Sequence, residues 1–300
     1  MLKRLFASCV TLLVVSLLVF SFANMMPGDP ARLLAGPMAS NADVQLIRDK
    51  LGLDAPPLQR YGRFLEGLYT PSLATSFLTS RPVVQEIRDR LPNTIAIAVG
   101  GLLVGMLIGV STGVISALWQ GGWLDAAITA VTLAGVSMPI YWLALLCIWL
   151  FAVTLGWLPA AGASTPMHFV LPILVVATRP AAMFSRLISA SLLEVVGRDY
   201  LDAARAKGLP EWAVIVKHAL RNALVAAVTV AGVQFGAMLG GAVVTETVFG
   251  IPGVGRLLVD AVSGDDYPVI QYTILMFAVF FIIINLLTDL ATQWLDPRTR

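Results

Sequence analysis

The sequence predicts an all-α integral membrane protein with six transmembrane helices and a small outer segment after the first. Hydrophobic residues make up 58% of the 300 and charged residues only 13%, whereas a soluble domain carries about 25% charge. Mean hydropathy is +0.83. Each apolar run is long enough to cross about 30 Å of hydrocarbon at 1.5 Å per residue. The alternating segments of a membrane barrel do not occur.

The first span, roughly Leu5–Met26, follows Lys3 and Arg4, which places the N-terminus inside. A signal peptide is the competing reading, with Met1–Arg4 as its n-region and Ser21-Phe22-Ala23 as a loose cleavage site. The apolar run of about 20 residues exceeds the usual h-region, which favours a retained span. Pro27–Asn93 alone has ordinary soluble composition. Its Lys and Arg residues do not set the orientation, because a segment of about 67 residues escapes the charge rule. Within it, Asn41–Gly52, Pro56–Leu68 and Val83–Leu91 predict short helices. They would form an outer cap packed on the spans, too small for an independent domain with a large core.

Span two, Thr94–Leu118, carries Gly101, Gly105, Gly109 and Gly113; span five, Ala223–Val244, carries Gly232, Gly236 and Gly240. Glycine at every fourth residue keeps to one helix face and lets another backbone approach. Packing is the expected role, with ligand contact as the alternative. Gly109-Val-Ser-Thr-Gly113 matches a hydrolase elbow in letters, but that elbow needs a strand–turn–helix context. His168 and His218 also cannot both serve Ser111. Span three, Leu124–Leu155, and span four, Phe169–Ala190, are interrupted by Pro139 and Pro172, which predicts kinks or span-end breaks. Cys9 and Cys147 lie within spans and read as small apolar residues. Span six is Val269–Trp294, and six crossings leave the C-terminus inside with Arg298 and Arg300.

Arg179 is the odd residue of span four, near mid-depth and followed by Pro180. An arginine there costs roughly 2.5–3.5 kcal/mol on the lenient insertion scale. Either it faces a hydrated pathway and meets an anionic solute, or it snorkels or pairs internally.

Asp199–Asn222 separates spans four and five. It holds Arg205, Lys207, Lys217 and Arg221, with Arg198 just before, so it belongs on the cytoplasmic side. Asp199 and Asp202 open a short helix that Arg205 and Lys207 close, an order that suits the helix dipole. Gly208 is its left-handed stop. Pro210 and Glu211 then open a second helix. Ala203, Ala204 and Ala206 give the first a shallow surface, and Trp212, Ile215, Val216, Ala219 and Leu220 give the second an apolar face. A plain connector between helices needs only 2–8 residues, so this helix–turn–helix reads as a surface for another protein to press on.

That stretch, Leu192–Asn222, resembles the E-A-A loop of permease subunits of binding-protein-dependent ABC importers. The family pattern is E-A-A, three residues, then Gly; this chain has Asp202-Ala203-Ala204, Arg205-Ala206-Lys207, Gly208, with Asp in place of Glu. The later I-x-L-P of the pattern is His218-Ala219-Leu220-Arg221 here, as in the oligopeptide, dipeptide and nickel branch. Further runs resemble the same branch: Pro27-Gly-Asp-Pro30, Leu51-Gly-Leu53, Arg90-Leu-Pro-Asn-Thr94, Gly156-Trp-Leu-Pro159, Glu246-Thr-Val-Phe-Gly-Ile-Pro-Gly-Val-Gly-Arg256 and Asp296-Pro-Arg298. Together they cover nearly the whole chain.

The resemblance implies a type I importer fold and a bacterial cytoplasmic membrane location. It divides the chain into a first transmembrane helix (1–26), a periplasmic segment (27–93) and a type-1 transmembrane domain (94–296) whose coupling loop is 191–222. The implied partners are a second, related permease in a heterodimer, two cytoplasmic ABC ATPases and an extracytoplasmic solute-binding protein. Asp202, Ala203, Ala204, Arg205, Lys207 and Gly208 would couple to the ATPase. Glu246–Arg256 would form a gate facing the binding protein, with Glu246, Phe249, Pro252 and Gly253 joining Arg179 along the pathway; a simple outer turn is the alternative.

The chain has no G-x-x-x-x-G-K-[ST] phosphate loop, so ATP and Mg would sit on the partner subunits. No cofactor, metal or nucleic acid is expected, and the lipid bilayer is the solvent. An ion-coupled transporter or channel would want acidic residues inside its spans, and Asp125, Glu246 and Asp289 all lie near span ends. An enzyme would need a His, Cys or carboxylate constellation that the spans lack. A di- or oligopeptide is the expected cargo, with glutathione, nickel complexes and some sugars left open.

Overall fold

A computed structural model describes residues 2–25, 29–36, 38–70, 74–196 and 220–295. The described residues are helical apart from turns and one isolated bridge between Thr75 and Pro82. The helices are α1 (Leu2–Met25), α2 (Pro30–Ala35), α3 (Asn41–Leu51), α4 (Pro57–Glu66), α5 (Val83–Leu118), α6 (Trp123–Ser137), α7 (Ile140–Thr154), α8 (Val170–Val196), α9 (Leu220–Val248), α10 (Val254–Ser263) and α11 (Tyr267–Leu295).

Among the described residues, α5, the stretch Pro166–Glu194, Ala226–Val248 and Tyr267–Trp294 are long and apolar enough to cross a membrane. α1 contributes the shorter apolar stretch Phe6–Phe22. The expected third span is two helices, α6 and α7, bent by 108° at Met138-Pro139. Pro139 cannot continue the ladder, and the residue before a proline avoids the helical region; Met138 is extended, at φ −73° and ψ 132°. The pair is a broken span or a re-entrant loop. The last turns of α7, Ile148–Thr154, widen into a π-helix. The expected third outer helix is the first part of α5, which runs through Pro92 without a break.

The chain divides into two compact units. The first, Met1–Pro92 with Pro252–Ile282, joins the outer segment to α1 and to residues far along the chain. Asp29 caps α2 through Ala31 N–H at 3.1 Å, and Arg48 of α3 pairs with the same side chain at 2.5 Å. Ser40 and Asp43 form a capping box, and Gly52 ends α3 in the left-handed conformation at φ 61°. The core is aromatic. Phe20 meets Tyr61 edge-on at 5.3 Å, and Phe64 lies 5.1 Å from Tyr272. Both polar tips are partnered, as buried tyrosines require: Tyr272 Oη donates to the Phe64 carbonyl at 2.8 Å, and Tyr61 Oη meets Ser16 Oγ at 2.7 Å.

Asp266, buried just before α11, ties this unit together across 190 residues. Its carboxylate accepts from Ser76 Oγ at 2.5 Å, Phe77 N–H at 3.1 Å and Leu78 N–H at 3.3 Å. Removing it leaves three donors without this partner. Asp266→Ala is expected to destabilise the unit by about 3 kcal/mol, read as faster proteolysis within residues 74–82 of the purified protein. Asp266→Asn keeps one carbonyl acceptor and is expected to lose less. Equal cleavage of Asp266→Ala and wild type would refute the pin.

The second unit, Asn93–Ile251 with Ile283–Arg300, holds the rest of α5 and α11 with α6–α9. One cluster is built from Phe184, Ile188, Leu192 and Ala227; another from Ile97, Ala144, Leu171, Val175, Val176, Met238, Phe249 and Ile251. Outward faces stay apolar: Leu103 is 61% and Leu107 69% exposed, as suits helices that meet lipid or another apolar partner.

Candidate translocation pathway

The second unit is organised around the glycine face of α5. A Cβ at Gly105 would stand 2.9 Å from the Ala177 carbonyl oxygen, one at Gly109 2.5 Å from that of Ala181, and one at Gly113 2.6 Å from that of Ser185. Glycines at every fourth residue thus oppose carbonyls at every fourth residue of α8, a small-residue seam with backbones in contact. Gly101 faces Met238 and Val176. On α9 the pattern differs. Gly232 is pressed by Thr288 of α11, but Gly240 has nothing within 4 Å.

With its other side against α5, α8 also borders a cavity of about 450 Å³. Val176, Arg179, Pro180 and Met183 of α8 line it, with Val136 of α6, Ile140 of α7, and Gln234, Ala237, Met238 and Gly241 of α9. Among the described residues of that wall, Arg179 and Gln234 are the only side chains with polar hydrogen-bonding groups. Among the described residues, neither has a hydrogen-bond or ion-pair partner. Pro180 supplies no N–H to the Val176 carbonyl, which adds acceptor character to the same wall. An arginine fork over an apolar chamber can bind a carboxylate through two parallel hydrogen bonds, and an amide can both donate and accept.

Glu246 and Phe249 lie at the C-terminal end of α9, both buried. Thr94 Oγ1 donates to Glu246 Oε1 at 2.6 Å, joining α5 to α9. The helix ends in a Schellman motif: Gly250 takes φ 62°, its N–H reaches the Thr247 carbonyl, and Ile251 N–H reaches that of Glu246 at 2.9 Å. The Phe249 carbonyl accepts from Gly162 N–H at 2.9 Å, which fastens the loop after α7 to this end. Pro252 and Gly253 fall in the other compact unit, where Gly253 precedes α10. Asp202, Ala203, Ala204, Arg205, Lys207 and Gly208 lie outside the described residues.

Sequence reasoning found Arg179 and passed over Gln234. The same rule, that a polar group inside a span needs a reason, would have found it.

Residues 90–300 match the family of binding-protein-dependent transport system inner membrane components, and residues 1–98 match its N-terminal companion family. The glutathione transport system permease protein GsiC of Pectobacterium atrosepticum is 44% identical, covering 99% of this chain and 97% of that protein. The GsiC protein of Escherichia coli K12 is 41% identical over the same shares. Among solved structures, an inward-facing form of the MetNI methionine ABC transporter matches with a TM-score of 0.62 at 19% identity, covering 73% of this chain and all of that one. An amino acid ABC transporter matches at 0.52 and 16%, covering 70% and 94%; these two speak to the fold alone. The reading as an ion-coupled transporter or channel falls away. By its matches from end to end, the chain belongs to the inner membrane components of binding-protein-dependent transport systems and is a permease subunit of an ABC importer, not an enzyme.

Proposed function

We propose that this permease imports a small peptide-like solute, a short peptide or glutathione, through a chamber at which Arg179 receives the cargo carboxylate and Gln234 its amide. The observation that carries the reading is the roughly 450 Å³ cavity with an unpaired guanidinium and an amide in an apolar wall. Small-molecule sites have this makeup: apolar lining, few polar groups, and volumes of about 300–1,000 Å³. The names of the GsiC relatives support the cargo class.

In this reading the chain is half of a pathway completed by a second, related permease. Two ATPases drive it through Asp202–Gly208, and a periplasmic binding protein delivers cargo near Glu246–Gly253. The termini lie in the cytoplasm, six spans run between them, and the limits 1–26, 27–93 and 94–296 divide helix, periplasmic segment and transmembrane domain.

The test is Arg179→Gln in the intact complex, reconstituted with its binding protein and assayed with glutathione and an alanyl dipeptide. Loss of a charge-assisted bond is expected to cut maximal uptake by about tenfold or more. Probes with an amidated C-terminus are expected to lose far less, and Arg179→Lys to be intermediate. Wild-type uptake with unchanged preference for the free acid would remove Arg179 from the pathway.

A further inference from the structure

We infer that Arg186 and the hydroxyl groups around it form a second station for the cargo carboxylate, two helical turns along α8 from Arg179. The inference rests on the peptide-import reading above and adds a site to it. A separate cavity of about 220 Å³ lies in the second unit, lined by Ser116 of α5, Asp125, Thr129 and Thr132 of α6, and Arg186 and Ser189 of α8, among others. Five of the seven polar side chains in that wall are hydroxyls. Ser116 donates to Asp125, Ser189 to Ser116 and Thr132 to the Ile128 carbonyl, so these three can accept from a guanidinium, and Thr129 and Ser185 can also donate to a carboxylate.

The two cavities share their walls. On α8 the residues Val176, Arg179, Pro180 and Met183 border the first, and Ser185, Arg186, Ser189, Ala190 and Leu193 the second. Arg186, Ala190 and Leu193 continue the face that carries Arg179 at three- and four-residue steps, while Ser185 and Ser189 widen the second cavity towards α5, where Ser185 also meets Gly109 and Gly113. On α6, Asp125, Thr129 and Thr132 border the second and Val136 the first, again at three- and four-residue steps. The cavities therefore follow one another along α6 and α8. At 1.5 Å per residue, Arg179 and Arg186 are about 10.5 Å apart along the axis, a distance a flexible peptide bridges by passing its carboxylate from one guanidinium to the next.

Arg186 is exposed and has no hydrogen-bond or ion-pair partner among the described residues. The nearby carboxylate is otherwise engaged: Asp125 accepts from Ser116 Oγ and from Gly121 N–H, the latter at 3.0 Å. Its negative charge in the same wall weakens the hold on an anion. That suits a station that must also release, because conduction needs sites that bind loosely enough to leave. The other oxyanion within reach of an exposed arginine is a lipid phosphate. The cargo carboxylate is favoured because helical Cα–Cβ bonds tilt towards the N-terminus, carrying the Arg186 stem towards Arg179 and away from the Glu194 end of the span.

The experiment compares Arg186→Gln, Arg186→Lys and Arg179→Gln in the reconstituted complex, with uptake normalised to assembled complex. Probes are glutathione and an alanyl dipeptide, each with a free or amidated C-terminus, in zwitterionic and in anionic vesicles. Arg186→Gln is expected to lower maximal uptake of the free acids about tenfold, to spare the amides, and to act alike in both lipids, with Arg186→Lys recovering most of the loss. Equal loss for acids and amides, or no loss, overturns the station. An effect confined to anionic vesicles assigns Arg186 to a lipid headgroup and also overturns it. Discrimination by Arg179→Gln but not by Arg186→Gln removes the second station and leaves the first standing. If the wild-type complex imports none of the probes, the peptide reading falls and this inference with it.

Discussion

Gly109→Leu is expected to abolish uptake and to leave little assembled protein in the membrane. A Cβ at this position would lie 2.5 Å from the Ala181 carbonyl oxygen, 2.5 Å from Phe184 Cβ and 3.1 Å from Ser185 N. Backbone atoms of a packed helix cannot rotate away as a side-chain tip can, so α5 and α8 must separate. Overpacking by even a few methylenes costs about 1–3 kcal/mol. Here the strain is shared with Gly105 and Gly113, which sit equally close to α8 carbonyls. Any separation also displaces α8, and with it Arg179 and Arg186. Gly109→Ala places the first clashing atom and is expected to show a milder form of the same defect. Gly240→Ala is the contrast: nothing lies within 4 Å, and alanine favours the helix by up to about 1 kcal/mol. Its expected thermal stability is equal or higher. Measuring membrane-inserted amount, melting temperature and uptake side by side checks the seam, and wild-type values for Gly109→Leu would disprove it.

That seam shows what a sequence can and cannot convey. The four-residue glycine period of α5 is visible in one dimension, and it announces close approach. The carbonyls of Ala177, Ala181 and Ser185 that answer it are not, because they come from a helix some 70 residues later. Most spans were legible from hydropathy: α8, α9 and α11 overlie the apolar runs that predict them, and α5 contains its run but begins 11 residues earlier, at Val83 rather than Thr94. The break in the third run was not. Hydropathy is continuous from Leu124 to Leu155, and Pro139 signals an interruption without setting its angle, which is 108°. The short helix predicted over Val83–Leu91 and the span predicted from Thr94 are instead one helix, since α5 runs through Pro92. The pin at Asp266 is legible only as an acid before a helix; its donors lie 188 to 190 residues away. Around the cavity, charge made Arg179 conspicuous, whereas Gln234 is neutral and its neighbours Val136 and Ile140 look like ordinary span residues. A chamber is a property of three or four helices at once, and no single helix spells it.

Ala204→Trp and Gly208→Val are each expected to abolish ATP-driven uptake while the chain still inserts and still pairs with its fellow permease. Both positions lie outside the described residues, so the case stands on sequence chemistry and family membership. As the sequence reads, Asp202-Ala-Ala-Arg-Ala-Lys-Gly208 would present small side chains rimmed by charge, and a partner docked on them would leave no room for an indole. An overpacking cost of about 3 kcal/mol reduces the docked fraction more than a hundredfold, since each 1.4 kcal/mol is a factor of ten. Gly208 acts differently. The sequence reads it as a left-handed helix stop, where a β-branched residue is a backbone outlier, so valine is expected to redirect the chain there. Asp202→Glu restores the acid typical of the family and is expected to keep uptake near wild type. The decisive comparison pairs uptake with copurification of the ATPase. Lost uptake with a lost ATPase places the defect at docking, lost uptake with a bound ATPase places it in transmission of the stroke, and full uptake by either variant refutes the coupling role. Residues of the transmembrane cavities supply an internal standard: Arg179→Gln is expected to retain the ATPase and discriminate among cargoes, whereas a coupling variant stops every cargo alike.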